Sequence, residues 1–192
     1  NDAELVAICE AIPLRSESLK EKYAPNAVCY TDFDEFLKHD MDAVVLCNFF
    51  HQHAPYAIKA LKAGKHVMSE CGSNMTIAEG VELCRTVEAS GKIYMLAENY
   101  PYFAANMEMR RIYLEGSLGR VIYAEGEYVH PTDSHSFNSI APGESHWRNW
   151  IPTTYYITHS LGPLMYITDG MPVEVNARAV ATPEYVKGTA RR

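Results

Sequence analysis

The sequence predicts an α/β fold for its first hundred residues, a parallel sheet covered by helices on both faces. Short apolar runs alternate with charged, helix-forming stretches, and short turns containing glycine, proline or threonine join them. Such alternation is typical of parallel sheets, because parallel neighbours need a crossover that usually runs through a helix. The composition, with 47% hydrophobic and 21% charged residues, is that of an ordinary globular protein.

The strands are expected where apolar residues run without a polar alternation, as in strands buried on both faces. We predict four of them, at Glu4–Cys9, Ala43–Cys47, His66–Met68 and Ile93–Ala97.

Helix start and stop signals separate these strands. We predict helices at Ser16–Tyr23, at Asp32–His39 behind a Thr31 cap, between Pro55 and Gly64, and from a Thr76–Glu79 capping box to Gly91.

Together these elements indicate a doubly wound sheet of the Rossmann kind over residues 1–100. In that fold the first strand is followed by a glycine-rich G-x-G-x-x-G turn that holds a pyrophosphate. The chain opens on a strand with no such turn before it. We therefore expect the first strand and its glycine-rich loop to lie outside this chain.

The pattern changes after Pro101, and we assign residues 101–192 to a second, incomplete α+β domain with an open, mostly antiparallel sheet. Residues 130–152 show no clear period, and so long an irregular stretch in a compact domain is usually functional. The predicted elements are helices at Ala104–Glu115 and Thr153–Thr168, and strands at Arg120–Val129 and Val173–Ala181.

Charge, apolar length and cysteine content exclude several classes of partner. The net charge of −7 repels phosphate backbones, so we expect no nucleic acid. The longest apolar stretch, near Ala43–Phe50, is far shorter than the roughly 20 residues that span a bilayer, so we expect no membrane partner. The 5 cysteines form no C-x-x-C pair, which favours reduced thiols in the cytoplasm.

The stretch Ala43–Glu70 resembles the glucose–fructose oxidoreductase, inositol dehydrogenase and MocA family. In that family a strand ends in a Thr-Pro-Asn-like turn, a histidine follows, and a helix ends in Ala-Gly-Lys-His-Val before a Glu-Lys-Pro triplet. Here Ala63–Val67 carries the same five letters, and His53 and Glu70 match. The resemblance extends back to Glu10 and through the second domain. It implies an NAD(P)-dependent oxidoreductase.

Two departures from the family pattern concern this same region. The triplet is Glu70-Cys71-Gly72, so the family lysine that contacts the substrate hydroxyl is absent, and the turn reads Asn48-Phe49-Phe50. A thiol carries no charge unless its pKa is depressed, so it is a poor substitute for an ammonium group. We therefore expect Cys71 to be dispensable, with a reactive nucleophile as the alternative.

The second domain resembles the NAD-dependent glycosidases of glycoside hydrolase family 109. The similarity lies in Gly126–His130, in Trp147-Arg148 and in the Tyr-x-Thr-His-x-Leu-Gly-Pro pattern that starts at Tyr156. Those enzymes use NAD transiently: they oxidise the sugar, eliminate the glycoside, add water and reduce the sugar again. The resemblance thus leaves two outcomes open, net oxidation or glycoside cleavage.

The fold and the resemblance together nominate cofactor-binding residues at the carboxyl ends of the strands. Glu10 can accept hydrogen bonds from both ribose hydroxyls and repels a 2′-phosphate, which favours NAD over NADP. Each candidate has a structural alternative: a solvated strand end, a helix-start histidine, a hydrogen-bonding carboxylate or a domain-crossing loop. The candidates are Glu10, Asn48, His53, Glu70 and Asn99.

Tyr156 and His159 are the predicted catalytic pair. They are three residues apart on a predicted helix, so both side chains share a face, and a phenol and an imidazole there can move a hydroxyl proton. The alternative is a helix that simply buries both. Predicted substrate contacts are Tyr100, His130, Trp147 and Arg148; Trp147 and Trp150 offer apolar faces to a sugar ring unless they pack in the core.

We predict no metal site. Several metal-ligand residue types occur in the second domain, but no pair has the i, i+4 spacing of a zinc helix and no thiolate lies near them in the sequence. The residues concerned are His130, Asp133, His135, Glu144, His146 and His159.

Three functions follow as hypotheses. The first is an oxidoreductase that moves a hydride between nicotinamide and a sugar- or polyol-like carbon, with His159, assisted by Tyr156, handling the proton. The second is an NAD-dependent glycosidase, and the third is a non-catalytic sensor that binds NAD or a sugar. Family members often assemble through the open sheet of the second domain, so we expect a homo-oligomer.

Overall fold

A computed structural model of the protein describes residues 3–130, 133–143 and 145–179. The elements in chain order are β1 (Ala7–Cys9), α1 (Pro13–Tyr23), β2 (Val28–Tyr30), α2 (Phe33–Phe36), β3 (Ala43–Leu46), α3 (His53–Lys62), β4 (His66–Ser69), α4 (Ile77–Ser90), β5 (Tyr94–Leu96), α5 (Ala104–Leu114), α6 (Ser134–Ile140) and α7 (Thr158–Thr168). Short 3₁₀ turns lie at Phe50–Gln52, Tyr100–Tyr102, Trp147–Asn149 and Thr153–Tyr156.

The strands form two parallel sheets. β1 pairs with β2, and β3, β4 and β5 pair in that order, with Val67 of β4 opposite Val44 on one side and Tyr94 on the other. In a doubly wound sheet with strand order 3-2-1-4-5-6, the first strand lies between the second and the fourth. β1 and β3 correspond to those two neighbours, so the split falls where the sequence predicts a missing first strand.

One hydrophobic core joins both sheets. Ala7 of β1, Val44 and Leu46 of β3, and Ala57 and Leu61 of α3 are buried in the same cluster. α3 packs on β3 and β4 and also against α4. The two sheets are therefore halves of one layered α/β unit, as the fold class predicts.

The capping box and the glycine stop of α4 are confirmed, whereas the predicted helix Asp32–His39 is limited to Phe33–Phe36. The hydroxyl of Thr76 accepts from the backbone N–H of Glu79 at 3.2 Å, the Glu79 carboxylate accepts in return from the Thr76 N–H at 3.1 Å, and Gly91 ends α4 at φ 63°. The cap of α2 is Asp32 rather than Thr31, because the Asp32 carboxylate accepts from the Glu35 N–H at 2.9 Å. The sequence also missed β2, which is too short to show a period.

In the second half, α5 forms where predicted, whereas the predicted helix Thr153–Thr168 is divided into a 3₁₀ turn and α7, which begins at Thr158. The two helices pack together. Arg110 of α5 fastens the pair, because its guanidinium donates to the Tyr166 carbonyl and makes a bidentate ion pair with Asp169. The ion pair between Arg110 and Asp169 lies at the C-terminal end of α7, where Asp169 adopts a left-handed conformation with φ 52°.

The antiparallel sheet predicted for the second half is not found within the described residues. Residues 120–129 are irregular and leave Ile122 and Tyr123 exposed, at 87% and 74%. A strand needs a partner ladder, and no described segment pairs with this one. Residues 173–179 are also irregular, and the rest of the predicted strand Val173–Ala181 lies outside the described residues.

In the described ranges, no helix combines the length and the apolar character that crossing a membrane requires.

Candidate functional site

The carboxyl ends of the strands carry most of the polar residues that the sequence nominated. Glu10 follows β1, where its N–H donates to the Tyr30 carbonyl at 3.0 Å and its Oε1 accepts from the Ile12 N–H at 3.0 Å. The carboxylate thus sits beside the start of α1, on the edge where a doubly wound sheet binds its ligand.

His53 ties two loops of this edge together. Its ring is buried, with Nδ1 2.7 Å from the Gly72 carbonyl oxygen and Nε2 3.1 Å from the Asn48 carbonyl oxygen. The two ring nitrogens therefore face backbone carbonyl oxygens of the turns after β3 and β4, and the nitrogen that carries the proton donates to one of them. His53 is therefore not a helix-start histidine in contact with water, because its ring is shielded from solvent.

The side chain of Asn48 is the polar group of this edge that most clearly lacks a partner. Its amide nitrogen and oxygen are both buried, and neither forms a hydrogen bond within the described residues. Buried amides are nearly always hydrogen-bonded in native proteins, so an unpaired one calls for a ligand or water. Its position at the end of β3 fits a nucleotide cofactor bound at the carboxyl edge.

A buried cluster joins this edge to α7. His159 Nδ1 lies 2.7 Å from Glu98 Oε1, and His159 Nε2 lies 3.6 Å from the sulfur of Cys71. Glu70 Oε2 accepts from the Cys71 N–H at 2.8 Å and lies 3.1 Å from its sulfur. The side chains of His159 and Glu98 are 7% and 9% exposed. The fold thus brings residues that are far apart in sequence into one thiol–imidazole–carboxylate group.

The electrostatics of the cluster keep the thiol neutral. Burial raises the pKa of Cys71 to about 12, and hydrogen bonding to Glu70 and the nearby negative charges of Glu70 and Glu98 act in the same direction. A thiol with so high a pKa is a poor nucleophile at neutral pH. This supports the sequence-based judgement that Cys71 is not an activated nucleophile.

Aromatic rings hold His159 in place. Tyr100 and Tyr128 each lie with ring centroids 4.6 Å from the imidazole, and Tyr156 lies at 5.7 Å. Tyr156 is on the 3₁₀ turn before α7 rather than on one helix with His159, so the predicted shared helix is wrong although the two rings are neighbours. Asn99 is exposed beside Tyr100.

Arg148 controls the phenol of Tyr156. Its guanidinium donates to the Tyr156 hydroxyl at 2.7 Å. Burial raises the pKa of Tyr156, and the charge of Arg148 opposes that rise. The predicted substrate residue Arg148 therefore belongs to the same side of the site as the predicted catalytic tyrosine.

The two tryptophans play different parts. Trp147 is 8% exposed, stacks on Phe50 at 5.8 Å and has the Arg148 guanidinium over its ring at 4.4 Å. Its ring faces are covered, so the packing alternative describes it better than a sugar platform. Trp150 is half exposed beside His51. His130 is exposed, with its ring 5.8 Å from Tyr128.

Two glycines make the close approaches on which the site depends. A Cβ on Gly126 would lie 2.2 Å from the Ser160 carbonyl oxygen, so only glycine lets the segment before Tyr128 cross the start of α7. Gly72 has φ 90°, and a Cβ there would overlap the Phe50 ring. Proline, which the family has at this position, cannot adopt that φ.

The sequence analysis did not nominate two residues that contact His159, namely Glu98 and Tyr128. Glu98 comes directly after the last strand's Leu96-Ala97, so the rule that nominated Glu10 and Glu70, an acid at a strand's carboxyl end, also points to it. Tyr128 lies within a motif that the sequence singled out. The sequence analysis also overlooked that a cysteine lies near one of the metal-ligand types, because the Cys71 thiol contacts His159 across 88 residues of sequence. Glu144 lies outside the described residues.

The parallel sheet with polar, partly unpaired groups on its carboxyl edge is typical of a nucleotide-binding domain. Residues 1–98 match the family model for the oxidoreductase family with an NAD-binding Rossmann fold. The chain belongs to this family, which comprises glucose–fructose oxidoreductase, inositol dehydrogenase and MocA relatives.

Curated relatives agree with the resemblance of the second domain. The chain is 29% identical over 209 residues to glycosyl hydrolase family 109 protein 1 of Bacteroides fragilis, covering 97% of this chain and 44% of that protein. It is 31% identical over 181 residues to glycosyl hydrolase family 109 protein 4 of Phocaeicola vulgatus, covering 86% and 35%. The chain thus spans less than half the length of these relatives.

Solved structures share the fold. Myo-inositol 2-dehydrogenase from Lactobacillus plantarum superposes with a TM-score of 0.71 at 19% identity, over 87% of this chain and 49% of that one. Scyllo-inositol dehydrogenase from Lactobacillus casei, crystallised with NAD(H) and scyllo-inositol, gives a TM-score of 0.57 at 22% identity, over 60% and 34%.

Proposed function

We propose that this chain is part of the catalytic unit of an NAD-dependent oxidoreductase that acts on a hydroxyl carbon of a sugar or polyol. The observation that carries the proposal is the Glu98–His159 pair at 2.7 Å, buried beside the carboxyl edge of an NAD-binding fold. A buried imidazole held by a carboxylate, next to a cofactor site, is the arrangement that proton transfer during alcohol oxidation requires.

The chain's own residues would divide the work as follows. Bound NAD supplies the hydride acceptor. His159 takes the hydroxyl proton on Nε2, because Nδ1 is held by the Glu98 carboxylate, which also stabilises the imidazolium that forms. Tyr100 and Tyr128 fix the plane of the ring. Tyr156, held by Arg148, lines the same face and contacts the substrate hydroxyls.

The cofactor contacts that we propose lie along the carboxyl edge. Asn48 offers the unpaired amide, while Glu10 and Glu70 offer carboxylates and Asn99 follows β5. His53 acts by positioning the Asn48 turn, since its ring nitrogens are used by backbone carbonyls. We place the boundary between the nucleotide domain, 1–100, and the substrate domain, 101–192, between Glu98 and α5.

Glycoside cleavage is the second candidate, and the glycosyl hydrolase family 109 relatives favour it. It shares the first oxidation step, so the same residues serve both reactions. We also propose a cytoplasmic homo-oligomer: the cysteines of the described chain are all free, and the family resemblance implies assembly through the second domain.

The test is the His159→Asn variant of the full-length protein. Asparagine keeps a polar group but cannot accept the proton, so turnover with NAD and a reactive polyol should fall about 10²–10⁴-fold, while the Kd for NAD is unchanged. NADH absorbance measures turnover, and release of a glycosidic leaving group without net NADH identifies the second candidate. Normal turnover in His159→Asn, with a dead His53→Ala or His130→Ala variant, would move the site elsewhere.

A further inference from the structure

The Cys71–His159 contact has the geometry of two ligands on one metal ion. A tetrahedral Zn²⁺ with Zn–S of about 2.3 Å and Zn–N of about 2.0–2.1 Å holds the two ligand atoms roughly 3.6 Å apart. The Cys71 sulfur and His159 Nε2 lie 3.6 Å apart, and both side chains are buried. The separation of the two atoms thus equals the separation that two ligands of one zinc ion would have.

The second nitrogen of His159 completes this pattern. Nδ1 is hydrogen-bonded to the Glu98 carboxylate at 2.7 Å, which leaves the Nε2 lone pair directed at the sulfur. Histidines that bind metals almost always donate their other N–H to a carboxylate or carbonyl, which fixes the tautomer and makes the ligand more basic. Glu98 therefore stands behind the imidazole as the orienting group, not as a ligand.

The charges around the pair favour a cation. Glu70 Oε2 is 3.1 Å from the sulfur, and Glu98 Oε2 is buried with no hydrogen-bond partner in the described ranges. Two carboxylates disfavour a lone thiolate at this place, but they attract a divalent ion that compensates all three negative groups. The ligand atoms of Cys71, Glu98 and His159 all lie within 4.8 Å of one another, so the thiol, the imidazole and this carboxylate form one compact group.

We propose that Cys71 and His159, backed by Glu98, form an inhibitory binding site for Zn²⁺ or a similar thiophilic divalent cation. Occupation of Nε2 by the metal removes the lone pair that accepts the hydroxyl proton, so the loaded protein cannot use His159 as a base. The inhibitory consequence rests on the proposed function; the metal site itself rests only on the geometry.

Metal binding is measured first, without any reference to turnover. Co²⁺ replaces Zn²⁺ as the probe, because a cobalt–thiolate bond gives a charge-transfer band and tetrahedral coordination gives intense d–d bands. We expect one Co²⁺ per chain, displaced by Zn²⁺. The bands should vanish in Cys71→Ser, and Glu98→Gln should weaken binding about 10–100-fold, the range for loss of a metal-orienting partner.

Cys47→Ser is the matched control. Cys47 also follows a parallel strand, and burial together with the charge of Glu70 raises its pKa as well. Because Cys47 does not contact His159, the Cys47→Ser variant should keep the cobalt spectrum. Circular dichroism establishes that each variant is folded. A wild-type protein without a charge-transfer band, a band that survives in Cys71→Ser, or a band lost equally in Cys47→Ser would overturn the metal site.

Inhibition is measured second, as the ratio of turnover with and without Zn²⁺ within each variant. The ratio should fall in the wild type and in Cys47→Ser, recover with a chelator, and stay near one in Cys71→Ser. Cobalt binding together with an unchanged turnover ratio would overturn the inhibitory role, while the metal site itself would stand. A cobalt spectrum in a protein with no turnover at all would instead show that the proposed function is wrong.

Discussion

At the scale of single residues, the Glu98–His159 hydrogen bond is the contact on which the site depends. It is short, at 2.7 Å, and both side chains are almost fully buried, so water cannot replace either partner. Hydrogen bonds to charged groups are worth about 1.5–3 kcal/mol, more than neutral ones. Glu98 is therefore a positioning residue that sets the orientation of the imidazole.

Glu98→Gln should lower kcat by about 10–150-fold, the kinetic equivalent of about 1.5–3 kcal/mol. The amide keeps the shape of the side chain but no longer stabilises the imidazolium. KM for the polyol and the Kd for NAD should change little, since Glu98 is behind His159. A variant that raises KM and leaves kcat intact would instead show that Glu98 binds substrate directly.

We expect Glu10 to set the preference between the two nicotinamide cofactors. Its carboxylate at the end of β1 would accept from ribose hydroxyls and repel a 2′-phosphate. Full-length protein should therefore bind NAD more tightly than NADP, and Glu10→Ala should narrow the difference by about 1–2 kcal/mol. Titration of both cofactors by calorimetry measures it; equal affinities in the wild type would refute the assignment.

At the scale of elements, the segment before Tyr128 is placed by a backbone contact rather than by a sheet. Gly126 passes so close to the Ser160 carbonyl that any Cβ would have to move one of the two chains. Because Tyr128 follows two residues later and packs on His159 at 4.6 Å, this crossing fixes one wall of the site.

Gly126→Ala should therefore reduce turnover more than stability. An added Cβ in such a packed contact costs about 1–3 kcal/mol of unfolding free energy. We expect the segment around Tyr128, rather than α7, to shift in order to relieve the contact. Thermal unfolding and kcat are measured together. Glu125→Ala, which removes an exposed neighbouring side chain, is the control and should match the wild type. Equal kcat in Gly126→Ala and the control would show that the wall is not needed.

The elements also show what local sequence can and cannot predict. The Thr76–Glu79 capping box and Gly91 were predicted correctly because their hydrogen bonds are local. Residues 120–129 have strand-like composition but no partner ladder among the described residues, and composition alone does not form a strand. For the same reason the Cys71–His159 contact was invisible: it depends on where α7 docks, which no local pattern records.

At the scale of the whole molecule, the carboxyl edge of the sheet explains why nominated residues converge. Parallel strands end at the same edge, so an acid or amide at each strand end is brought into one crevice without any further information. This logic predicted Asn48 and Glu70 and also covers Glu98. The family pattern added Tyr156 and His159 to the predicted site residues. It did not assign a role at the site to Tyr128 or Cys71, which contact His159.

The central claim is that a hydride passes between a sugar or polyol carbon and NAD while His159 holds the proton. It is tested most directly by incubating the full-length protein, stripped of metal by a chelator, with NAD and polyols or sugars deuterated at the hydroxyl carbons. Mass spectrometry of the recovered cofactor measures the deuterium on nicotinamide. We predict labelled NADH with the wild type and at least about 10²-fold slower labelling with His159→Asn. A wild-type protein that binds NAD but transfers no deuterium from any substrate, or a His159→Asn variant that labels NADH at the wild-type rate, would contradict the account.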